Sequence, residues 1–285
     1  MNNTKVAVLF GNKRNHNYYL NNRLGIIEAF MKLPKNFQTQ FFAMTDVMNA
    51  YEREGRVTWF VNTVKAMKFA INERFEPDVV FCVGDPNYEW DKVLVGKYRK
   101  YFIYDSYEEP KKFFDWDNII VPTFEDLIFF PKAMVGAVYN DLIFKDNKRE
   151  LKPFQIFYPQ LIQNLDLFLD IQHDDLVVGM NDRENILLLS DMSTPMIADI
   201  VNQSKSVVLI EKENDIELAL SALACNVPVL TVEDNKSSFL DGVFVSLATT
   251  PDFLVALNDI KSISMDTDLT QYTTSAFAKK VRELL

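Results

Sequence analysis

The sequence predicts an α/β protein of two doubly wound domains, and three observations carry that prediction. Short apolar runs such as Lys5–Phe10 and Asp78–Val83 recur along the 285 residues, separated by stretches with helical spacing. Strands apolar on both faces belong to parallel sheets covered by helices on both sides. A charge cluster with a proline, 136–153, interrupts the alternation before it restarts. The first domain is therefore placed at 1–150 and the second at 151–285.

Each element follows in order. Lys5–Phe10 (KVAVLF) is a buried strand ending at Gly11, and Tyr19–Leu33 follows as a helix with Leu20, Leu24, Ile27, Phe30 and Met31 on one face. Gln38–Met44 is a second strand. Val57–Phe75 reads as one long helix with a Val61/Val64/Met67/Lys68/Ile71 stripe. Asp78–Val83, Lys100–Tyr104 and Asn118–Val121 are three more strands, the first stopped by Gly84-Asp85-Pro86. Beyond the junction come a strand at Phe154–Tyr158, a Leu161–Leu169 helix, a strand at Asn185–Leu189 and a helix from Pro195. Ser206–Ile210, a helix from Asp215, Val227–Val232, Val243–Ser246 and a final helix from Asp252 to Ile260 complete the series. Ligands of such sheets bind beyond the carboxyl ends of the strands, and two facing domains place them in the cleft between.

Composition narrows the function. The eight glycines are scattered, so neither G-x-G-x-x-G nor G-x-x-x-x-G-K-[ST] occurs. With two histidines, His16 and His173, a three-histidine zinc site is impossible. Asp115-Trp-Asp117 and Asp266-Thr-Asp268 fit a D-x-D metal pattern but lack a preceding strand, so they read as loop acids and no metal site is expected. Cys82 and Cys225 end apolar runs, as buried free thiols do, and two lone cysteines fit a reducing compartment. No apolar run approaches the ~18 residues of a membrane span, so a cytoplasmic protein without membrane insertion is expected. The net charge of −10 opposes nucleic-acid binding, but it is uneven. Residues 1–150 hold 21 basic and 20 acidic side chains, whereas 151–285 hold 9 and 20. Within the first 40 residues Lys5, Lys13, Arg14, Arg23, Lys32 and Lys35 face a single acid, Glu28.

The richest segment is Ser206–Val232, SVVLIEKENDIELALSALACNVPVLTV. Its strand ends in Glu211-Lys212-Glu213, and Asn214-x-x-Glu217 forms a capping box opening a helix with Ile216, Leu220 and Leu223 on one face. Asn226 is a suitable left-handed stop. The free amides at such a helix start, with the dipole behind them, seat a phosphate without a glycine-rich loop. Glu213 sits just outside the cap.

This segment resembles the donor-binding segment of GT-B glycosyltransferases of the retaining, glycogen-synthase-like kind (family 4 type), E-G-F-G-L-P-x-L-E-A-M-A-C-G-x-P-V. Glu213, Ala222, Ala224, Cys225, Pro228 and Val229 stand in its frame, and FLDGVFVSLATTPDFLVALNDI is similar to the family's ending. The likeness is specific over 185–260 and topological before that. It implies a GT-B fold of two Rossmann-like domains, 1–150 for the acceptor and 151–285 for the donor, and transfer of a hexose from a nucleotide sugar, with UDP-glucose the expected donor. No cofactor or metal is implied.

By that resemblance Glu213 contacts the donor sugar, and Lys212, Asn214 and Asp215 lie at the diphosphate. Ser190, Met192 and Ser193 lie near the nucleobase. Ser221 replaces the family's second Glu, and Arg183, Lys205 or Lys212 replaces its missing basic pair, or Lys13 and Arg14 reach across. Asp105, where the family often has a His, faces the reacting carbon; Gly11, Asn12, Lys13, Arg14 and His16 face the acceptor. The segment 11–23 (GNKRNHNYYLNNR) is rich in amides, cations and aromatics. Small phage enzymes that glucosylate hydroxymethylated bases are similar in size and composition, so modified double-stranded DNA is the leading acceptor. A polysaccharide or lipid-carrier transferase and a non-catalytic nucleotide-binding protein of the same fold are the alternatives.

Overall fold

Val6–Phe10 carries no polar side chain and is buried along its length, at the centre of strand β1 (Thr4–Phe10). The structure, a computed structural model, describes residues 3–11, 24–44, 49–53, 55–104, 110–111, 114–147, 154–158, 177–179, 194–209, 216–232, 238, 240–246, 255–256, 259–260 and 267–285. By proximity the chain divides into two compact units. One comprises Met1–Tyr19, Ile27–Ala137 and Phe277–Leu285; the other comprises Leu20–Ile26 and Val138–Ala276.

In the first unit β1 lies parallel to β2 (Phe37–Met44) and β5 (Val79–Gly84), with Val8 opposite both Phe41 and Phe81. With β3 (Asn49–Arg53), β4 (Arg56–Val61), β6 (Arg99–Tyr104), β7 (Asn118–Val121) and β8 (Met134–Val135), the described sheet runs β3-β4-β2-β1-β5-β6-β7-β8. The strand order reverses between β1 and β5, the switch point at which doubly wound sheets open a crevice. One face packs Leu9, Phe42, Cys82 and Phe102 against Met67, Ile71 and Trp90. On the other, Phe30 of helix α1 (Leu24–Met31) meets Phe81 edge-on at 5.0 Å, and Phe81 stacks on Tyr101 at 4.9 Å.

The helix expected over Val57–Phe75 is split. Val57-Thr-Trp-Phe-Val61 is β-branched and aromatic, and it pairs antiparallel with β3 across Gly55 at φ 74°. Helix α2 (Val64–Phe69) begins only after Thr63, whose hydroxyl accepts the Ala66 N–H at 3.1 Å. It continues as a π-turn, Ala70–Phe75, closed by Glu76 in the left-handed region. The added hairpin serves α1. Arg56 donates to Met31 O and, at 3.0 Å, to Leu33 O, while Arg53 pairs with the buried Glu28. Cations there satisfy the carbonyls at the negative end of the helix.

In the second unit the described strands are all parallel, in the order β10-β9-β11-β12-β13. They are β9 (Phe154–Tyr158), β10 (Val177–Gly179), β11 (Ser204–Leu209), β12 (Val229–Val232) and β13 (Val243–Ser246). Here the switch point lies between β9 and β11. Alongside run α4 (Thr194–Gln203), which starts where Pro195 predicts, and α5 (Ile216–Ala224). Asn226 stops α5 at φ 56° as expected, so β12 starts at Val229 and not at Val227, whose N–H is held by Ala222 O at 3.0 Å. The expected elements Leu161–Leu169 and Asn185–Leu189 lie outside the described residues.

The expected last helix is not the last. Helix α6 (Thr274–Leu284) follows a 3₁₀ turn at Thr270–Tyr272, and Thr273 Oγ1 accepts the Ala276 N–H at 3.2 Å. Its Phe277 and Val281 are buried, Tyr101 Oη donates to Leu284 O at 2.8 Å, and Lys280 Nζ donates to Val135 O at 2.8 Å.

Candidate functional site

At the carboxyl edge of the first sheet, the site is built around Gly11. Its N–H donates to Val83 O at 3.2 Å, tying the end of β1 to the end of β5 across the switch point. Space, not backbone angle, requires glycine here: a Cβ would stand 2.3 Å from Trp90 Cη2, 2.5 Å from Cζ2 and 3.0 Å from Tyr88 Cδ1. Trp90, in the short helix α3 (Trp90–Val93), is buried, and its indole N–H donates to Asp85 O at 3.0 Å. Tyr88 packs edge-on to Trp90 at 4.7 Å and places its hydroxyl 3.6 Å from Met44 Sδ, at the end of β2. Burial, with Glu89 and Cys82 adding to it, pushes the Tyr88 phenol up to about 12.

The turn bearing these aromatics is held by polar contacts. Gly84, at φ 130°, bends the chain out of β5. Asp85 Oδ1 accepts the Asn87 N–H at 2.7 Å, and Asn87 Oδ1 accepts the Lys111 N–H at 2.6 Å. The Gly84-Asp85-Pro86 segment enters the sequence reading only as a strand stop. An acid directly after an apolar strand of a parallel sheet is the signal that reading passes over.

In the second unit the β11–α5–β12 frame forms as the segment 206–232 predicts. Ser221 is buried in α5 and its hydroxyl donates to Glu217 O at 2.7 Å, so toward a ligand it can act only as an acceptor. Glu217, expected to close the capping box of its own helix, gives Oε1 to the Gly25 N–H at 2.7 Å, in the first turn of α1. Gly25 leaves no room for a side chain: a Cβ would lie 2.9 Å from that carboxylate oxygen and 2.9 Å from the Tyr139 carbonyl carbon.

Of the sequence-derived site residues, Gly11, Lys205 and Ser221 are therefore placed; Lys205 stands at the amino end of β11, opposite the carboxyl edge at which such sheets bind ligands, and so does not serve as the expected cation there. Asn12, Lys13, Arg14, His16, Asp105, Arg183, Ser190, Met192, Ser193, Lys212, Glu213, Asn214 and Asp215 lie outside the described residues. In the sequence, Asp105 comes next after β6, and Lys212 and Glu213 stand between β11 and α5.

One acid of each D-x-D pair has structural work. Asp117 accepts the Lys100 N–H, and Asp268 accepts the Thr270 N–H at 3.0 Å, hydrogen bonds that hold its carboxyl below the usual range. Among the described residues no group of three or more His, Cys, Asp or Glu is placed to hold a metal, and no helix is long and apolar enough to cross a membrane. Burial raises the Cys82 thiol well above its usual value, against a smaller opposing effect of Lys100, so it is not a poised nucleophile.

No protein-family model and no curated protein matches the chain. Solved structures do. A sucrose-phosphate synthase from Thermosynechococcus elongatus superposes with a TM-score of 0.67 at 10% identity, covering 98% of this chain and 93% of that one. HepE from Anabaena, in complex with UDP and glucose, gives 0.69 at 8% identity and covers 99% of both chains. The UDP-GlcNAc 2-epimerase of Methanocaldococcus jannaschii, in complex with UDP-GlcNAc and UDP, gives 0.64 at 11% identity, again covering 99% of both. The chain has the fold these proteins share, the GT-B fold with its two Rossmann-like units.

Proposed function

We propose that the protein is a hexosyltransferase that moves glucose from UDP-glucose to an acceptor hydroxyl. The observation carrying this reading is the pairing of a GT-B fold over nearly the whole chain with the 206–232 segment, which sets Glu213 after the switch-point strand β11. HepE, with UDP and glucose, and the sucrose-phosphate synthase share the fold, which favours a UDP-sugar donor. In the reaction the acceptor oxygen bonds to the anomeric carbon as the bond from that carbon to the diphosphate breaks and UDP leaves, the hydroxyl's proton passing to the departing diphosphate oxygen. Glu213 orients the sugar hydroxyls. The backbone amides of Asn214, Asp215 and the first turn of α5, with the cations Lys212 and Arg183, carry the charge growing on the diphosphate. Ser221 accepts from the donor ribose, Ser190, Met192 and Ser193 surround the base, and Asp105 faces the reacting carbon. Gly11, Asn12, Lys13, Arg14 and His16 meet the acceptor.

For the acceptor we propose a hydroxymethylated or already glucosylated base in double-stranded DNA, which the basic, amide-rich segment 11–23 supports, since a local basic patch suffices to hold a phosphate backbone. The shared fold of the epimerase favours a second reading, nucleotide-sugar epimerisation, which needs no acceptor. A thermal-shift panel of nucleoside diphosphates and their sugars, with and without duplex DNA containing 5-hydroxymethylcytosine, tests both. Stabilisation by UDP and UDP-glucose is expected, with a further rise from the modified duplex. Stabilisation by no nucleotide would overturn the reading. In a parallel product assay, UDP-GlcNAc converted without acceptor would replace it with the epimerase.

A further inference from the structure

We infer that Glu217 is a positioning residue of the donor site: the Gly25 N–H, at the start of α1, draws its carboxylate away from the α5 amides that take the diphosphate. This rests on the transferase reading and gives Glu217 a role that neither the capping-box motif nor the resemblance assigns to it. Glu217 stands in the first turn of α5. An acid there ordinarily turns back on its own helix start, whose free amides and dipole favour it. In a helix that seats a diphosphate the same acid is a competitor, since it occupies the ligand's donors and repels the ligand's charge. The structure gives its Oε1 a donor on another helix, the Gly25 N–H at 2.7 Å, 192 positions away in the chain. Gly25 lies in the first turn of the eight-residue α1, so a second helix dipole favours the charge where it is held.

The berth is shaped to this carboxylate. A Cβ on Gly25 would stand 2.9 Å from Glu217 Oε1 and 2.9 Å from the Tyr139 carbonyl carbon, so only glycine admits both. Tyr139 is itself held: it is buried, and its N–H donates to Tyr272 O at 3.2 Å. Gly25, Tyr139 and Glu217 all belong to the same compact unit. Further along α1, Ile26, Ala29 and Phe30 are buried, and Arg56 donates to the carbonyls of Met31 and Leu33 at the far end. The berth therefore has anchors of its own besides Glu217. The main chain of Glu217 is fixed as well, because its carbonyl accepts the Ser221 hydroxyl at 2.7 Å. Side-chain reach then decides which helix start the acid serves. A carboxylate one methylene shorter falls back by ~1.5 Å, out of hydrogen-bond range of Gly25, and the positive end left within its reach is that of α5.

The test measures UDP affinity calorimetrically in the full chain and in Glu217→Asp, Glu217→Gln and Glu217→Ala, with melting midpoints in parallel to confirm folding. Glu217→Asp keeps the charge and loses the reach, so it is expected to bind UDP about threefold or more weaker than the wild type, by a margin that narrows in high salt. Glu217→Gln and Glu217→Ala remove the charge and are expected to bind UDP as tightly as the wild type or more tightly. A residue that served the fold alone would show the opposite order, with alanine the worst of the three. Gly25→Ala evicts the carboxylate from its berth and is expected to weaken UDP as Glu217→Asp does, and adding Glu217→Ala to it is expected to restore the affinity. Should Gly25→Ala fail to fold, the comparison of Glu217→Asp with Glu217→Ala decides alone. Equal UDP affinity of the wild type and Glu217→Asp, or a loss in Glu217→Ala as large as in Glu217→Asp, overturns the inference and leaves the donor reading standing. A wild type that binds no UDP overturns the donor reading and this inference with it.

Discussion

Replacing Gly11 by alanine inserts one methyl group where the structure leaves no space. The new carbon would stand 2.3 Å from Trp90 Cη2, whereas carbons rest ~3.5–4.0 Å apart, so the indole must withdraw by more than ~1 Å. It has nowhere to go. Trp90 is 1% exposed, tied to Asp85 O, and boxed by Tyr88, Phe102 and Trp116 with ring centroids 4.7, 6.2 and 6.2 Å away. Overpacking of this kind costs about 1–3 kcal/mol. A mid-range loss of ~2 kcal/mol lowers the melting midpoint by about 4–8 °C. The assay is a double-mutant cycle by urea unfolding of wild type, Gly11→Ala, Trp90→Phe and the double variant. Phenylalanine lacks the ring atoms that clash, so the double variant should be more stable than the sum of the singles by ~1 kcal/mol or more. Additive effects, or a Gly11→Ala protein as stable as the wild type, would refute the account of why glycine ends β1.

Four further outcomes follow from the same contacts. Val281→Ala in α6 removes two methyl groups from a fully buried position and should cost about 2 kcal/mol by urea unfolding. Glu217→Gln should lower stability by about 1 kcal/mol, less so in high salt, because the Gly25 N–H and the start of α1 lose a charged partner. Tyr88 and Tyr98 both titrate near 12 instead of 10, chiefly through burial. Folding favours their neutral form, so their stabilisation is complete below pH 10 and is lost as pH rises to about 12; phenolate absorbance should show Tyr88 and Tyr98 among the tyrosines that titrate late, with Tyr139 and Tyr272 also raised by burial, together with unfolding. Tyr101→Phe should loosen the end of α6, seen as faster amide exchange over its last turn, through loss of the 2.8 Å bond to Leu284 O.

How far the sequence was legible depended on what each signal was competing with. Asn118–Val121 and Val243–Ser246 emerge at the expected bounds, because a short apolar run between polar neighbours in an α/β chain has one use. Val57–Phe75 misleads because an apolar residue every three or four positions runs through a strand and a helix alike; Gly55 and the Thr63 cap mark the true break. Helix α6 was also legible, with Phe277 and Val281 four apart behind a capping Thr273. It lies beyond the family-like ending at 260, where the expected series of elements closes. The frame 206–232 was legible in its strand, its amphipathic helix and its Asn226 stop, which agree with one another; the expected cap at Asn214 lies outside the described residues. The bond from Gly25 to Glu217 was not legible, since it joins residues 192 positions apart.

The central claim is met most directly by measuring UDP release from UDP-glucose by the wild type and by Glu213→Ala, with and without hydroxymethylated duplex DNA. The account predicts acceptor-stimulated UDP release by the wild type, reduced about 100-fold or more in Glu213→Ala, as when a group that stabilises the transition state is removed. Unchanged turnover in Glu213→Ala would contradict the assignment of the donor site. A wild type that releases no UDP under any of these conditions would contradict the transferase itself.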